Sequence, residues 1–209
     1  TWEKNYKKNR FNKYPFSEII TYSIRLFPSK DKRKKIKVLD LGCGGGTHTN
    51  FFIEEGFDYH AVDASSTSIK LTKSQLKRKN LKNKVINCRF QELPFKNNYF
   101  DFIIDRHSLT HNSMRDIQKI TEEIRRVLKK KGVFLSIIFG DKHSEKNFGK
   151  KSYYPRRKKI DFFFDFKKGT FKKSDKVNFF NKTLINKIFK KFKILSLTEK
   201  FHETLINHK

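Results

Sequence analysis

Residues 37–50, KVLDLGCGGGTHTN, constrain the fold more than any other stretch of the chain. Val38, Leu39 and Leu41 make an apolar run too short for a helix and closed by glycine, the pattern of a strand buried in a parallel sheet. Glycines at 42, 44, 45 and 46 then strip side chains from the turn. Its backbone reaches conformations closed to other residues and admits a ligand closely. Thr47 and Thr49 suit the first turn of a following helix. A strand that passes through such a turn into a helix presents amide N–H groups and the positive end of a helix dipole to an anionic ligand.

A second strand is expected in FDYHAVDAS, residues 57–65, ending on Asp63. That carboxylate lies about 20 residues past the turn, where nucleoside-binding α/β folds place the group that accepts hydrogen bonds from ribose hydroxyls. The glycine spacing departs from the dinucleotide fingerprint, because Thr47 holds the place of its third glycine.

Further strands are expected at 84–90, 97–105 and 132–139, with helices at 47–55, 65–80 and 114–131 between them. Alternation of this kind gives parallel pairing through right-handed crossovers, an α/β, Rossmann-like, doubly wound sheet. Ligands in such sheets bind beyond the carboxyl ends of the strands. Asp105, Arg106, His107, Ser108 and His111 therefore edge the expected reaction centre. His107 and His111 are candidate bases, since imidazole titrates near neutrality. Arg106 suits an acidic group of a substrate.

VLDLGCGGG with Asp63, then LPFKNNYFDFIIDR and RVLKKKGVFLSIIF, resembles the class I S-adenosylmethionine-dependent methyltransferases over roughly residues 36–140. The resemblance implies that architecture, S-adenosylmethionine (AdoMet) as cofactor, and transfer of its methyl group to an oxygen or nitrogen of a small-molecule acceptor. The LPF and DR…LTH stretches resemble stand-alone enzymes, including ones acting on sugars or cell-surface precursors. Carried onto this chain, the cofactor would meet Asp40, Gly42, Cys43, Gly44, Asp63, Ala64 and Asp105. Where related enzymes read adenine with an acid, this chain has Arg89, so Phe90 and Gln91 are expected to take over that contact. No NPPY-type loop follows the fourth strand. Two other readings stand beside this one: an RNA methyltransferase, and a non-catalytic AdoMet- or nucleotide-binding module.

The rest of the chain divides around that core. Residues 1–35 read as a helical cap, with a helix over 16–27 between Pro15 and Pro28, and with Trp2, Tyr6 and Tyr14 available to close a pocket or to pack on the sheet. Residues 141–180 are basic and aromatic and read as a substrate lid, with Tyr153 and Tyr154 facing substrate, or else as a surface hairpin stitched by phenylalanines. Asn181 is expected to cap a helix, and 192–201 to form a sixth strand within a C-terminal unit 181–209. The chain opens on Thr1 rather than Met, so a missing or processed N-terminus is expected.

The formal charge of +28 invites a nucleic-acid reading. Lysine far outnumbers arginine, whereas phosphate and base recognition favour arginine's planar fork, and the joint enrichment of Lys, Asn, Ile and Phe follows from AT-rich codons. A compositional origin of the charge is accordingly the greater expectation, and attraction to an anionic partner such as RNA, a nucleotide sugar or an acidic polysaccharide precursor the lesser. Cys43 and Cys88 have no metal or disulfide spacing, which favours a reducing cytoplasm and no metal site. No apolar run approaches the length of a membrane span.

Overall fold

The computed structural model describes residues 2–8, 12–78, 84–153 and 159–199. Its centre is a five-stranded, all-parallel sheet built from β1 (Lys37–Leu41), β2 (Asp58–Asp63), β3 (Val85–Asn87), β4 (Phe100–Arg106) and β5 (Leu128–Ile137). The spatial order is β3-β2-β1-β4-β5, so the order reverses beside β1, between β1 and β4. That is the switch point at which open α/β sheets take their ligands.

Helices cover both faces. α1 (Trp2–Lys7), α2 (Ser17–Leu26) and the short α3 (Lys30–Arg33) precede the sheet. α4 (Thr49–Glu54), α5 (Ser66–Arg78) and α6 (Met114–Val127) are the crossovers, and α7 (Lys182–Ile188) follows the insertion. One core layer joins Val38, Phe52, Ala61, Phe102 and Ile104 to Ile19 of α2. The other joins Leu39, Leu41, Ile103 and Phe100 to Ile120, Ile124 and Val127 of α6. The caps are the ones the local residues suggest: Ser113 Oγ accepts from Asp116 N, Asn181 Oδ1 from Leu184 N, and Ser65 Oγ from Ser68 N.

The structure differs from the sequence reading in several places: β3 ends at Asn87 rather than 90, and β4 begins at Phe100 rather than 97. α6 ends at Val127 rather than 131, and Lys129–Lys131 continue as strand. Three lysines offer no apolar stripe for another helical turn, whereas Lys129 Nζ meets Asp101 Oδ1 across the strands at 2.6 Å. Residues 192–199 are not a sixth strand. They are irregular, and Ile194, Leu195 and Leu197 are exposed. Among the described residues no strand pairs with this segment.

Between β5 and α7, β6 (Lys150–Tyr153) and β7 (Ile160–Phe164) form an antiparallel hairpin. It is built around its own cluster of Phe163, Phe166, Phe171, Val177 and Phe179. Tyr154 lies outside the described residues.

Candidate functional site

The glycine turn leaves the end of β1 with the N–H groups of Gly42 and Cys43 both donating to the carbonyl of Val62, at 2.8 and 3.1 Å. Gly42 and Gly44 have φ of +81° and +56°, the left-handed region. A Cβ on Gly42 would stand 2.0 Å from Ser108 Oγ, and one on Gly44 2.8 Å from Tyr6 Oη. The turn is tied to α5 from below: the carbonyl of Gly44 accepts from the hydroxyls of Ser68 and Thr72, and that of Gly45 from the amide of Gln75.

Asp63 closes the ring at the end of β2. One carboxylate oxygen accepts from Gly44 N at 2.9 Å and the other from Ser65 N at 2.8 Å. Burial nevertheless pushes its pKa up from the usual carboxylate value. Ala64 follows it on the surface. Asp40 lies beneath the turn, buried, accepting from Tyr59 Oη at 3.0 Å and facing His48 Nδ1 at 3.4 Å. His48 is 4% exposed, and its Nε2 has no hydrogen-bond partner among the described residues. This histidine escaped the sequence reading, because a histidine after a glycine run looks like any polar turn residue.

The end of β4 separates residues that the sequence had grouped. Asp105 is fully buried and accepts from Ser108 N, Leu109 N and Ser136 Oγ, at 2.8, 3.1 and 2.7 Å. It shapes the turn and is not among the residues that line the cavity. Burial drives its carboxyl up to about 7. Arg106 and His107 diverge from it. The Arg106 guanidinium lies over the ring of Phe16, 3.1 Å from its centroid. Burial brings Arg106 down to about 10, so it remains a cation at neutral pH. His107 has φ +63°, donates its N–H to Ile137 O at 2.8 Å, and stacks on Phe139 at 4.0 Å.

His111 closes a short 3-10 turn, Leu109–His111. Its Nδ1 is 2.9 Å from the carbonyl oxygen of Lys176, and its ring meets Trp2 edge-on at 5.0 Å. Burial lowers its pKa below that of an ordinary histidine. The insertion braces this turn again where Asn178 N donates to Thr110 O and the Asn178 amide to Asn112 O.

These pieces surround a cavity of about 380 Å³. Gly42, Cys43, Gly44 and His48 line it together with Arg106, His107 and His111, and the ring of Phe16 meets both Arg106 and His48. Trp2 and Tyr6 reach it from α1, Phe16 from the start of α2, and Phe171 with Thr170 from the insertion. α1 is held in place by Glu3, which accepts from the hydroxyls of Ser65 and Thr67 at the head of α5. Tyr14, by contrast, is exposed. Tyr153 is also exposed, on β6, and does not line the cavity. Its expected place is taken by Thr170 and Phe171, whose backbone is pinned by Glu145. Phe90 is half-buried with its ring near Gly42, while Gln91 is hydrogen-bonded to Asp116 at the head of α6. Among the described residues there is no cluster of His, Cys, Asp and Glu suited to a metal ion, and no helix long and apolar enough to cross a membrane.

Residues 38–132 match the family described as a methyltransferase domain. A sarcosine/dimethylglycine N-methyltransferase of Aphanothece halophytica is 33% identical over 102 residues, 47% of this chain and 36% of that protein. A ubiquinone biosynthesis O-methyltransferase of Pelagibacter ubique is 30% identical over 116 residues, 56% and 47%. The chain thus spans less than half the length of these curated relatives. A crystal structure of a Pyrococcus horikoshii OT3 protein superposes with a TM-score of 0.63 at 24% identity, covering 84% of this chain and 80% of that one, and so shares the fold.

Proposed function

Residues 38–132 belong to the class I methyltransferase-domain family, whose cofactor is AdoMet, and on that premise we propose that the chain methylates an oxygen or nitrogen of a small, anionic acceptor. The reading is carried by one observation: the left-handed Gly44 donates its N–H to Asp63, while the turn lines a cavity that Arg106 and His111 line as well. These residues fit the cofactor. Gly42, Cys43 and Gly44 line the cavity, with Ser108 and Tyr6 packed where a Cβ on either glycine would stand, and each oxygen of Asp63 keeps a lone pair for a ribose hydroxyl beyond the N–H it already accepts. Cys43 belongs to the same wall; Asp40 supports it from beneath, and Phe90 flanks Gly42 on the adenine side.

When bound, AdoMet supplies a sulfonium methyl group open to nucleophilic displacement. The chain's own contribution is orientation and proton transfer. A carbonyl only accepts, so His111 carries its proton on Nδ1, toward Lys176, and Nε2 keeps a lone pair. The lowered pKa keeps that ring neutral at pH 7, the form a base requires. Arg106 supplies the positive charge for an acidic acceptor group, His107 with Phe139 forms the wall beside it, and the segment 141–180 acts as the lid.

Calorimetry with AdoMet and with S-adenosylhomocysteine tests the binding half, and mass spectrometry of added methyl groups across small metabolites, sugar nucleotides and RNA tests the acceptor half. No binding of either cofactor form sinks the proposal. Methyl groups appearing on RNA alone would replace the small-molecule reading.

A further inference from the structure

We infer that the acceptor is a hydroxy-substituted aromatic carboxylate, methylated on its ring hydroxyl; this rests on the methyltransferase reading above and narrows it. Three features of the cavity carry it.

The first is charge. Among the described residues that line the cavity, Arg106 bears the only formal charge, and no Asp or Glu is among them. The acids that act on these groups electrostatically, Glu18 and Asp105 on Arg106 and Asp175 on His111, lie outside the lining. A lone guanidinium matches one carboxylate fork. A doubly charged phosphate would bring a second charge into the same partly dehydrated space with no cation to meet it. A cationic amine would face Arg106 with no carboxylate to balance it.

The second is the wall. Trp2, Tyr6, Phe16, Phe139 and Phe171 come from four separate segments and converge on one space. Trp2 and Tyr6 are stacked at 6.1 Å, and Phe139 is already stacked on His107. Flat rings set at these angles suit a flat ligand, which stacks on one ring while meeting others edge-on.

The third is the base. Burial makes His111 a weaker base than free imidazole. A phenol, with a pKa of about 10, gives up its proton to such a group more readily than an aliphatic hydroxyl does. The proton of the ring hydroxyl passes to His111 Nε2 as the hydroxyl oxygen forms its bond to the methyl carbon. The carbon–sulfur bond breaks with its electron pair going to sulfur, so the sulfonium charge is lost and the products are an aryl methyl ether, a neutral thioether and an imidazolium. The imidazolium then returns its proton to solvent.

Trp2 is the chain's only tryptophan and stands in this wall, so its emission reads occupancy directly. The protein is first saturated with S-adenosylhomocysteine; failure at that step overturns the methyltransferase reading and this inference together. 4-Hydroxybenzoate, 4-hydroxybenzyl alcohol, tyramine and sarcosine are then titrated by Trp2 fluorescence and calorimetry. The expected result is binding of 4-hydroxybenzoate about tenfold or more tighter than its neutral alcohol, the scale of one charge-assisted contact. Arg106→Gln removes that preference while Arg106→Lys keeps part of it, both variants retaining S-adenosylhomocysteine. With AdoMet, the methyl group should appear on the phenolic oxygen. Equal affinity for acid and alcohol, tighter binding of sarcosine or tyramine, or a methyl ester as product would each overturn the acceptor class while leaving the methyltransferase reading in place.

Discussion

His111 and Lys176 are 65 positions apart in the chain, yet the imidazole Nδ1 lies 2.9 Å from the lysine's main-chain carbonyl. The insertion after β5 thereby sets the tautomer of a histidine that belongs to the loop after β4. Because the contact is to backbone, replacing the Lys176 side chain should leave it intact.

The titration of this histidine should be visible through Trp2, whose ring it meets at 5.0 Å. Imidazolium quenches indole, so emission should rise with pH through a midpoint below the ordinary 6.5, the direction that burial imposes. His111→Asn should abolish the step and, with an acceptor in hand, lower turnover by about 10²–10⁴-fold. A step that survives in the variant, or full turnover without the ring, would remove His111 from the role of base.

Asp63→Ala should weaken S-adenosylhomocysteine by about 1–3 kcal/mol, the range for hydrogen bonds to a charged group. Calorimetry measures it, with circular dichroism as the check on folding. Unchanged affinity in a folded variant would place the ribose elsewhere.

Gly42→Ala should destabilise the fold by about 1–3 kcal/mol, since it combines a left-handed φ of +81° with a Cβ 2.0 Å from Ser108 Oγ. Adding Ser108→Gly should recover part of that loss in urea unfolding, because it relieves the contact and leaves the backbone strain. Gly44→Ala meets only the far end of Tyr6, so its effect should fall on cofactor binding more than on stability.

Asp105 sets a pH dependence with the opposite sign to that of most carboxylates. Its folded pKa of about 7 lies above the ordinary 3.8, so the native state holds a proton that the unfolded chain has released. Its stabilising contribution is full below the ordinary value and is lost as pH rises toward 7. Asp105→Asn mimics the protonated form, and its unfolding midpoint should gain on the wild type between pH 5 and about 8. A constant difference across that range would show that Asp105 does not titrate within it.

The parts of the site that were legible in the sequence are those built from neighbours in the chain. The strand, the glycine turn and the place of Asp63 at the end of the next strand were legible because short apolar runs and glycine are local signals. The inward turn of Asp105 was not legible, since three donors from 108, 109 and 136 hold it there and only the fold brings them together. Among the aromatics of 141–180, composition could not tell Phe171, which faces the cavity, from Tyr153, which faces solvent. The end of α6 was missed for a similar reason: the partner that draws Lys129 into the sheet, Asp101, lies on another strand.

Those same lysines lie on an edge strand among the described residues. β5 is the outermost strand of its sheet, pairing on one side only among the described residues, and a bare edge invites pairing with another chain. Lys130 and Lys131 stand exposed on it, so two copies approaching edge to edge would bring like charges together. Screening by salt should weaken any such repulsion.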